Sequence, residues 1–157
     1  MDRHRLTGNR DYQVESFASW MDEARPLFAA HWNEIANYKD SVPLNFDYDF
    51  YLKIESEGGL LPVTARKDGR LIGYALFMLI RLGHYKHIKC AHNDALYIAP
   101  EHRGYRGGRL IIECERICRE LGLNKIIWHV KPKNDWSNML RKRGYIDEDL
   151  IVGKLLR

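Results

Sequence analysis

A strand, a glycine-rich loop and an amphipathic helix follow one another between Leu96 and Leu121, and this succession constrains the fold more than any other part of the sequence. The strand ends before Pro100, the loop carries three glycines, and the helix is predicted from about Gly107 to Gly122. Such a turn directs unpaired backbone N–H groups and the positive end of a helix toward one point, and glycine lets an anion come close. The segment therefore predicts an anion site whose natural occupant is a pyrophosphate.

Two common phosphate-binding patterns are absent from this loop. A dinucleotide site of the Rossmann type needs G-x-G-x-x-G in a parallel βαβ unit, with an acidic residue about twenty residues later. A P-loop needs G-x-x-x-x-G-K-S/T. Arg103, Arg106 and Arg109 add positive charge to the loop instead.

Apolar periodicity and turn residues predict the remaining elements in an α+β chain of order β-αα-βββ-α-β-α-β. Its central sheet is mixed, largely antiparallel and flanked by helices. The predicted strands are Tyr12–Ala18, Leu60–Arg66, Leu71–Leu82, Ile88–Ala99, Lys125–Val130 and Leu150–Leu156. The predicted helices, besides the one after the loop, are Asp22–Asn37, Asp47–Glu57 and Asn134–Arg143.

Length and residue content limit the class of protein. The 157 residues suit a single domain, 1–157. No apolar stretch reaches the roughly 20 residues of a membrane span, and no secretory signal is visible. Cys90, Cys114 and Cys118 are an odd number and form no disulfide framework, so we expect a cytoplasmic protein. No His/Cys spacing supports a metal site.

The net charge of +4 divides unevenly along the chain. Residues 15–57 carry nine acids and three bases, whereas residues 100–145 carry eleven bases and five acids. A basic half is typical of proteins that bind nucleic acid, an anionic membrane face or a phosphate-bearing cofactor, and also of an ordinary solvated surface. Charge alone leaves these alternatives open.

The loop and the helix after it resemble motif A of the GNAT N-acetyltransferase superfamily. The family signature is Arg/Gln-x-x-Gly-x-Gly/Ala. Its first, fourth and sixth positions are Arg103, Arg106 and Gly108 in this sequence, so an arginine replaces the first glycine. The resemblance covers residues 60–157 and continues in Asn134 and in Gly144-Tyr145, which is similar to a closing Gly-Phe pair. The chain also resembles small GNAT proteins of tailed phages and prophages.

The resemblance implies acetyl-CoA as the cofactor and an amine as the acceptor. It places backbone groups of Tyr97 and Ile98, at a bulge, against pantetheine, with Asn134 near the same arm. It assigns the pyrophosphate to the loop residues, namely Arg103, Gly104, Tyr105, Arg106, Gly107, Gly108 and Arg109.

Acetyl transfer needs a base for the ammonium proton. Strand alternation puts five residues on one face, namely Cys90, His92, Asp94, Leu96 and Ile98. His92 and Asp94 precede the loop at the spacing of bases in GNAT enzymes, so we expect His92 first and Asp94 second as the base. Both are also compatible with ordinary hydrogen-bonded residues of a sheet face.

The family's usual general acid, a tyrosine, is replaced by Leu140, and Tyr105 or Tyr145 could substitute. Acids on the first two helices, namely Glu23, Glu34, Asp47 and Asp49, would favour a cationic acceptor. Three hypotheses stay open: an N-acetyltransferase, a nucleic-acid-directed protein that acylates a modified base or a DNA-bound protein, and a catalytically idle CoA-binding or assembly protein. A homodimer through the apolar C-terminal strand is a further expectation.

Overall fold

The computed structural model describes residues 11–156. Five strands and four α-helices make up the regular structure of this part. The strands are β1 (Tyr12–Val14), β2 (Leu60–Lys67), β3 (Arg70–Leu82), β4 (Tyr85–Ile98) and β5 (Lys125–Ile127). The helices are α1 (Phe17–Ile35), α2 (Tyr48–Ser56), α3 (Tyr105–Glu120) and α4 (Ser137–Arg141).

The strands form one sheet in the order β1-β2-β3-β4-β5. β1 to β4 are antiparallel neighbours, and β5 joins β4 in parallel after the α3 crossover. The turn between β2 and β3 has positive φ at both Asp68 and Gly69, as expected of an Asp-Gly hairpin. The predicted α+β class, with a mixed and largely antiparallel sheet flanked by helices, is confirmed.

Two apolar cores lie on opposite faces of the sheet. The α3 cluster includes Ile72, Phe77 and Ile98 of the sheet and Leu110 and Ile117 of α3. The α1 cluster lies on the other face, where Phe17, Trp20 and Phe28 of α1 pack on Tyr74 and Tyr97, among others. Burial of both faces explains why β3 is apolar almost throughout its length.

The first helix begins earlier than the sequence predicted, at Phe17 rather than Asp22, so the predicted strand Tyr12–Ala18 shortens to Tyr12–Val14. The Phe17 amide donates to Glu55 Oε1 at 2.8 Å, which satisfies one N–H of the first turn from a residue distant in sequence. The second helix is as predicted, because the Asp47 side chain accepts from the Phe50 amide at 2.9 Å.

The C-terminal part departs most from expectation. β5 ends at Ile127, and Asn134 belongs to a 3-10 turn, Pro132–Asn134, so α4 begins only at Ser137. The predicted last strand, Leu150–Leu156, is wrong: this segment forms no strand within the described part of the chain. A strand needs a neighbour to pair with, and β5 at the sheet edge offers three residues and pairs only with β4. The segment's apolar side chains consequently stay exposed, Leu150 by 87% and Val152 by 84%.

None of the helices described between residues 11 and 156 has the length and apolar character that a bilayer crossing requires.

Candidate active site and cofactor loop

The connection from β4 to α3 is a short loop that turns sharply at Gly104. Pro100–His102 form a 3-10 turn, and Gly104 follows with φ of +87° and ψ of −130°, a conformation that residues with a Cβ rarely adopt. α3 therefore begins at Tyr105, two residues before the predicted start at Gly107. Glycine at position 104 fixes where the first turn of α3 stands.

Four consecutive amides at this turn have no carbonyl acceptor among residues 11–156: Gly104, Tyr105, Arg106 and Gly107. They are the N-cap and first-turn amides of a 16-residue helix, whose dipole adds positive potential at the same place. The next amide back, that of Arg103, is occupied by Pro100 O at 3.3 Å. The four free N–H groups fit a phosphate or pyrophosphate.

The three loop arginines are in different situations. Arg103 is tied into the protein: its Nε donates to Ile98 O at 2.9 Å, its guanidinium lies over the Tyr97 ring, and its Nη2 pairs with Glu34. Arg109 pairs with Glu113 one turn along α3. The Arg106 side chain lies over the Tyr105 ring and has no acidic partner in the described residues. Arg106 is therefore the loop arginine whose charge is available to an anion.

The two glycines inside α3 face different surroundings. A Cβ on Gly108 would lie 3.5 Å from Met139 Sδ of α4, an ordinary packing distance. A Cβ on Gly107 would meet no atom within 4 Å. Gly108 thus contacts the last helix, while Gly107 borders open space.

The edge of β4 that faces β5 is unpaired beyond His92 in the described residues. The two strands pair only as far as His92 opposite Ile127. Ala99 N donates to Ile72 O of β3, so by strand alternation the Ile98 backbone faces the β5 side, where Arg103 occupies its carbonyl. Asn134 is held by Glu34, with Nδ2 3.3 Å from Glu34 Oε1. Because Glu34 also pairs with Arg103, Asn134 is linked through Glu34 to the end of β4.

A register shift in the sheet places the polar residues of β4. Leu76 opposes Ala95 and Phe77 opposes Asn93, so Asp94 has no partner on β3. The bulge is therefore at Asp94, and Tyr97 and Ile98, where a bulge was expected, pair regularly with Tyr74 and Gly73.

The bulge also corrects the predicted face of β4. His92 opposes Met78, which packs in the α1 cluster, and Asp94 contacts α2. Leu96 and Ile98 lie instead on the opposite face, in the α3 cluster. An extra residue in a strand reverses the alternation beyond it, so His92 and Asp94 share a face that Leu96 and Ile98 do not.

His92 forms a pair that the sequence did not indicate. Its Nε2 lies 2.7 Å from Nε2 of His129, two residues beyond β5, and the rings are nearly perpendicular at 88°. Burial, followed by the neighbouring His92, lowers the pKa of His129. The parallel pairing of residues 90–92 with 125–127 brings the two histidines together, and that register was not readable from the sequence.

Asp94 also has an unforeseen partner. Tyr51 of α2 donates its hydroxyl proton to Asp94 Oδ2 at 2.6 Å. Burial, and then the Asp94 carboxylate, raises the pKa of Tyr51. No sequence signal pointed to Tyr51, because the packing of α2 on the sheet decides which of its tyrosines reaches β4.

The three positions that bear on a general acid, Leu140, Tyr105 and Tyr145, lie in different surroundings. Leu140 is buried, as a core residue would be. The Tyr145 hydroxyl donates to Glu115 Oε1 on the far side of α3, and Tyr105 is 74% exposed at the start of α3. Tyr51 is the tyrosine whose hydroxyl lies beside Asp94.

Most acids of the N-terminal segment are used internally. Glu23 pairs with Arg66 and accepts from the Leu71 amide, Glu34 pairs with Arg103, and Asp47 caps α2. Of the four acids predicted to attract a cationic acceptor, Asp49 alone has no partner in the described residues.

His31 lies in the α1 cluster close to the site and gives a pH prediction. It is 8% exposed, its Nδ1 shares a hydrogen bond of 2.8 Å with the Tyr74 hydroxyl, and burial lowers its pKa to about 4. Between pH 6.5 and 4 only the unfolded chain takes up this proton, so the free energy of unfolding should fall by about 3 kcal/mol as the pH falls.

Urea unfolding at pH 7 and pH 4.5 measures this loss. His31→Gln should remove most of the pH dependence in this window, whereas His87→Gln, at an exposed position of β4, should keep it. An unchanged slope in His31→Gln would assign the acid sensitivity to other groups.

Metal and thiol chemistry find no support. No group of three or more His, Cys, Asp or Glu side chains in residues 11–156 could hold a metal ion. Cys90, Cys114 and Cys118 are all buried and free, and burial raises the pKa of each thiol.

Comparison with known proteins gives a consistent result. Residues 14–145 match the sequence model of the acetyltransferase (GNAT) family. No curated protein sequence matches significantly.

Solved structures resemble the chain over nearly its whole length. A ribosomal-protein-alanine N-acetyltransferase from Brucella melitensis biovar Abortus 2308 superposes with a TM-score of 0.67 at 17% identity, over 94% of this chain and 99% of the other. An aminoglycoside acetyltransferase from an uncultured soil metagenomic sample superposes with a TM-score of 0.68 at 15% identity, over 95% of this chain and 97% of the other. Glucosamine-6-phosphate N-acetyltransferase from Arabidopsis thaliana superposes with a TM-score of 0.65 at 14% identity, over 93% of this chain and 97% of the other. At these identities the structures bear on the fold alone.

Proposed function

Because the chain belongs to the acetyltransferase (GNAT) family, whose members use acetyl-CoA, we propose that it moves an acetyl group from acetyl-CoA to a primary amine. The amine attacks directly in a ternary complex. A base first removes one proton from the ammonium form of the acceptor. The amine nitrogen then forms a bond to the acetyl carbonyl carbon, the carbon–sulfur bond of the thioester breaks, and a second proton passes from the nitrogen to the departing thiolate. The observation that carries the proposal is the row of free amides at Gly104–Gly107, in the turn that follows β4.

The loop residues have different roles in the proposed binding of the cofactor. The amides of Gly104 to Gly107 hold the pyrophosphate, and Arg106 adds its unpaired charge. Arg103 acts from within the protein, because it fixes the end of β4 through the Ile98 carbonyl and the Tyr97 ring. Gly108 and Arg109 contribute as part of the first turns of α3.

Pantetheine lies along the unpaired edge of β4 beyond His92. The backbone around Tyr97 and Ile98 belongs to this edge, and Asn134 is joined to it through Glu34 and Arg103. Glu34 holds both Arg103 and Asn134 in this structure, so an incoming arm that uses the Asn134 amide takes it from the Glu34 carboxylate.

His92 is the proposed base. It lies at the last paired position of β4 and β5, and imidazole is the side chain that most often serves as a general base. Asp94, one bulge further on, is exposed and faces α2. We assign Asp94 to the acceptor ammonium rather than to proton removal, since its second oxygen already accepts from Tyr51.

A cationic acceptor is the proposed substrate class, with Asp94 as its principal contact. Asp94→Asn keeps the size of the side chain and an oxygen for Tyr51, but removes the charge. We expect KM for a diamine acceptor to rise about tenfold, as for loss of one charge-assisted hydrogen bond, with KM for acetyl-CoA unchanged. Steady-state kinetics with each substrate varied separately measures the effect.

Asp49→Asn is the matched control, since Asp49 is an exposed acid of the first turn of α2. It should leave KM for the diamine within about twofold, as for an exposed charge. Equal effects of the two variants would contradict the assignment to Asp94 and would favour the overall charge of the N-terminal segment.

The nucleic-acid-directed alternative has less in its favour than the sequence suggested. Seven of the eleven bases between residues 100 and 145 pair with acids. Those without an acidic partner in the described residues are Arg106, Lys131, Lys133 and Lys142. The catalytically idle alternative, the resemblance to phage proteins, the cytoplasmic location and the homodimer stay predictions.

Thiol release from acetyl-CoA, followed with a thiol reagent over a panel of amines, tests the proposal. The panel should contain polyamines, a lysine peptide, an alanine-terminated peptide and an aminoglycoside. We expect release that depends on one class of acceptor, with one acetylated amine formed for each thiol. Tight CoA binding by calorimetry without release on any acceptor would favour the idle cofactor-binding protein.

A further inference from the structure

We propose that His129 is a proton-relay residue: it receives, through His92, the proton that the acceptor ammonium loses. The inference rests on the proposed function and extends it. The two histidines would act as one base of two rings, with the proton entering at the first ring and leaving from the second.

The distance between the two rings defines their protonation. Two Nε2 atoms 2.7 Å apart must share one hydrogen, because two bare nitrogens repel each other and two N–H groups cannot point at each other. The neutral pair therefore consists of one ring with its hydrogen on Nε2 and one with its hydrogen on Nδ1. The ring that donates through Nε2 keeps a free lone pair on Nδ1.

This arrangement makes His92 able to accept a proton without keeping the charge. When His92 is the donor of the pair, its Nδ1 takes the ammonium proton, and its Nε2 hydrogen passes to Nε2 of His129. One N–H bond forms at each step as another breaks, and the positive charge finally lies on His129. His92 ends neutral with its hydrogen on Nδ1, and His129 then loses its Nδ1 proton to water. Proton exchange with water then returns the pair to its starting tautomer, with the Nδ1 lone pair of His92 free again.

Exposure sets the direction of the relay. His92 is half-buried on the sheet, whereas His129 is exposed beyond the end of β5. The outer ring contacts solvent and can release a proton to water, and its lowered pKa keeps it from holding the charge. The ring nearer the sheet thus meets the substrate, and the outer ring delivers the proton to solvent.

Burial and the surrounding charges favour the neutral form of His129. Burial, His92 and Lys131 each lower the pKa of His129, and Asp94 alone raises it. Tyr51 of α2 faces the same place, with its hydroxyl committed to Asp94. The net lowering of the His129 pKa favours a neutral acceptor at pH 7 and rapid release of the relayed proton.

The test compares His129→Ala with the wild-type protein across pH, on an acceptor that the wild type acetylates. We expect kcat to fall about tenfold, near the lower end of effects on acid–base groups, with KM for acetyl-CoA unchanged. The acid limb of the kcat profile should also move, because one ring now titrates alone. Added imidazole should restore part of kcat, since the vacated site is open to solvent.

His87→Ala is the matched control, an exposed histidine of β4 without a partner in the described residues, and should change none of these quantities. A His129→Ala variant with wild-type kcat and an unshifted pH profile would overturn the relay. So would a lowered kcat with an unshifted profile and no rescue by imidazole, because a structural role alone gives that result.

A second measurement separates the relay from the proposed function. NMR titration of the imidazole nitrogens needs no substrate, and it should show His92 and His129 titrating in two coupled steps that become one step in His129→Ala. Independent titration of the two rings would overturn the relay even in an active enzyme. Failure of the wild type to acetylate any amine would instead overturn the proposed function.

Discussion

Replacement of His92 by alanine should lower kcat by about 10² to 10³-fold while leaving KM for acetyl-CoA unchanged, because it removes the proposed base and acid–base groups contribute about 10² to 10⁴-fold. The side chain lies where β4 and β5 stop pairing and is not one of the groups that the free amides of the α3 turn contact. Single-turnover acetyl transfer, which follows the chemical step without product release, measures the loss most directly.

His87→Ala serves as the control for this variant as well, since it removes an exposed imidazole from the same strand. Raising the pH should recover part of the His92→Ala loss, because more of the amine is then already deprotonated. A variant that keeps wild-type kcat at pH 7 would assign proton removal to another group or to bulk water.

Replacement of Gly104 by alanine should weaken acetyl-CoA binding by tenfold or more. A residue with a Cβ at φ of +87° and ψ of −130° is strained by about 1–3 kcal/mol, and relief of that strain turns the loop and its four free amides away from their common point. Nothing lies within 4 Å of the added Cβ, so backbone conformation rather than a clash causes the effect. Calorimetric titration with acetyl-CoA measures the change.

Gly122→Ala is the control for this substitution. Gly122 also has positive φ, +69°, and also has open space around its Cβ site, but it ends α3 instead of preceding it. Both variants should lose stability to urea, and only Gly104→Ala should lose affinity. Equal affinity in the two variants would separate acetyl-CoA binding from the Gly104 turn.

Local sequence signals predicted most of the fold well. The Asp-Gly turn, the Asp47 cap, the stripe of α3 and the glycine at its end all depend on neighbours within a few residues, and each is present in the structure. The parallel placement of β5 follows from the helix that joins it to β4.

Tertiary contacts explain the features that local signals did not predict. α1 begins at Phe17 because Glu55, 38 residues away, accepts its amide. The bulge at Asp94 follows from the β3–β4 register and reverses the expected face of Leu96 and Ile98. The segment Leu150–Leu156 has the composition of a strand but finds no strand beside it.

The candidate site also contains residues that local sequence signals identified and residues that only tertiary contacts reveal. The loop glycines and arginines were identifiable because they are consecutive in the chain. His129 and Tyr51 were not, since each reaches β4 from an element whose register or packing only the folded chain defines. The charge pattern misled for a related reason, because acids such as Glu23 and Glu34 are neutralised by Arg66 and Arg103, remote in sequence.

The binding of the pyrophosphate by the amides of residues 104–107 is tested most directly by an NMR titration of ¹⁵N-labelled protein with acetyl-CoA, in which the backbone resonances of these residues are followed. We expect these four amides to shift together and more than others, because each gains a phosphate acceptor that it lacks in this structure. Resonances that stay in place while acetyl-CoA binds, or that move no more than those at the opposite end of α3, would contradict the assignment of the pyrophosphate to this turn.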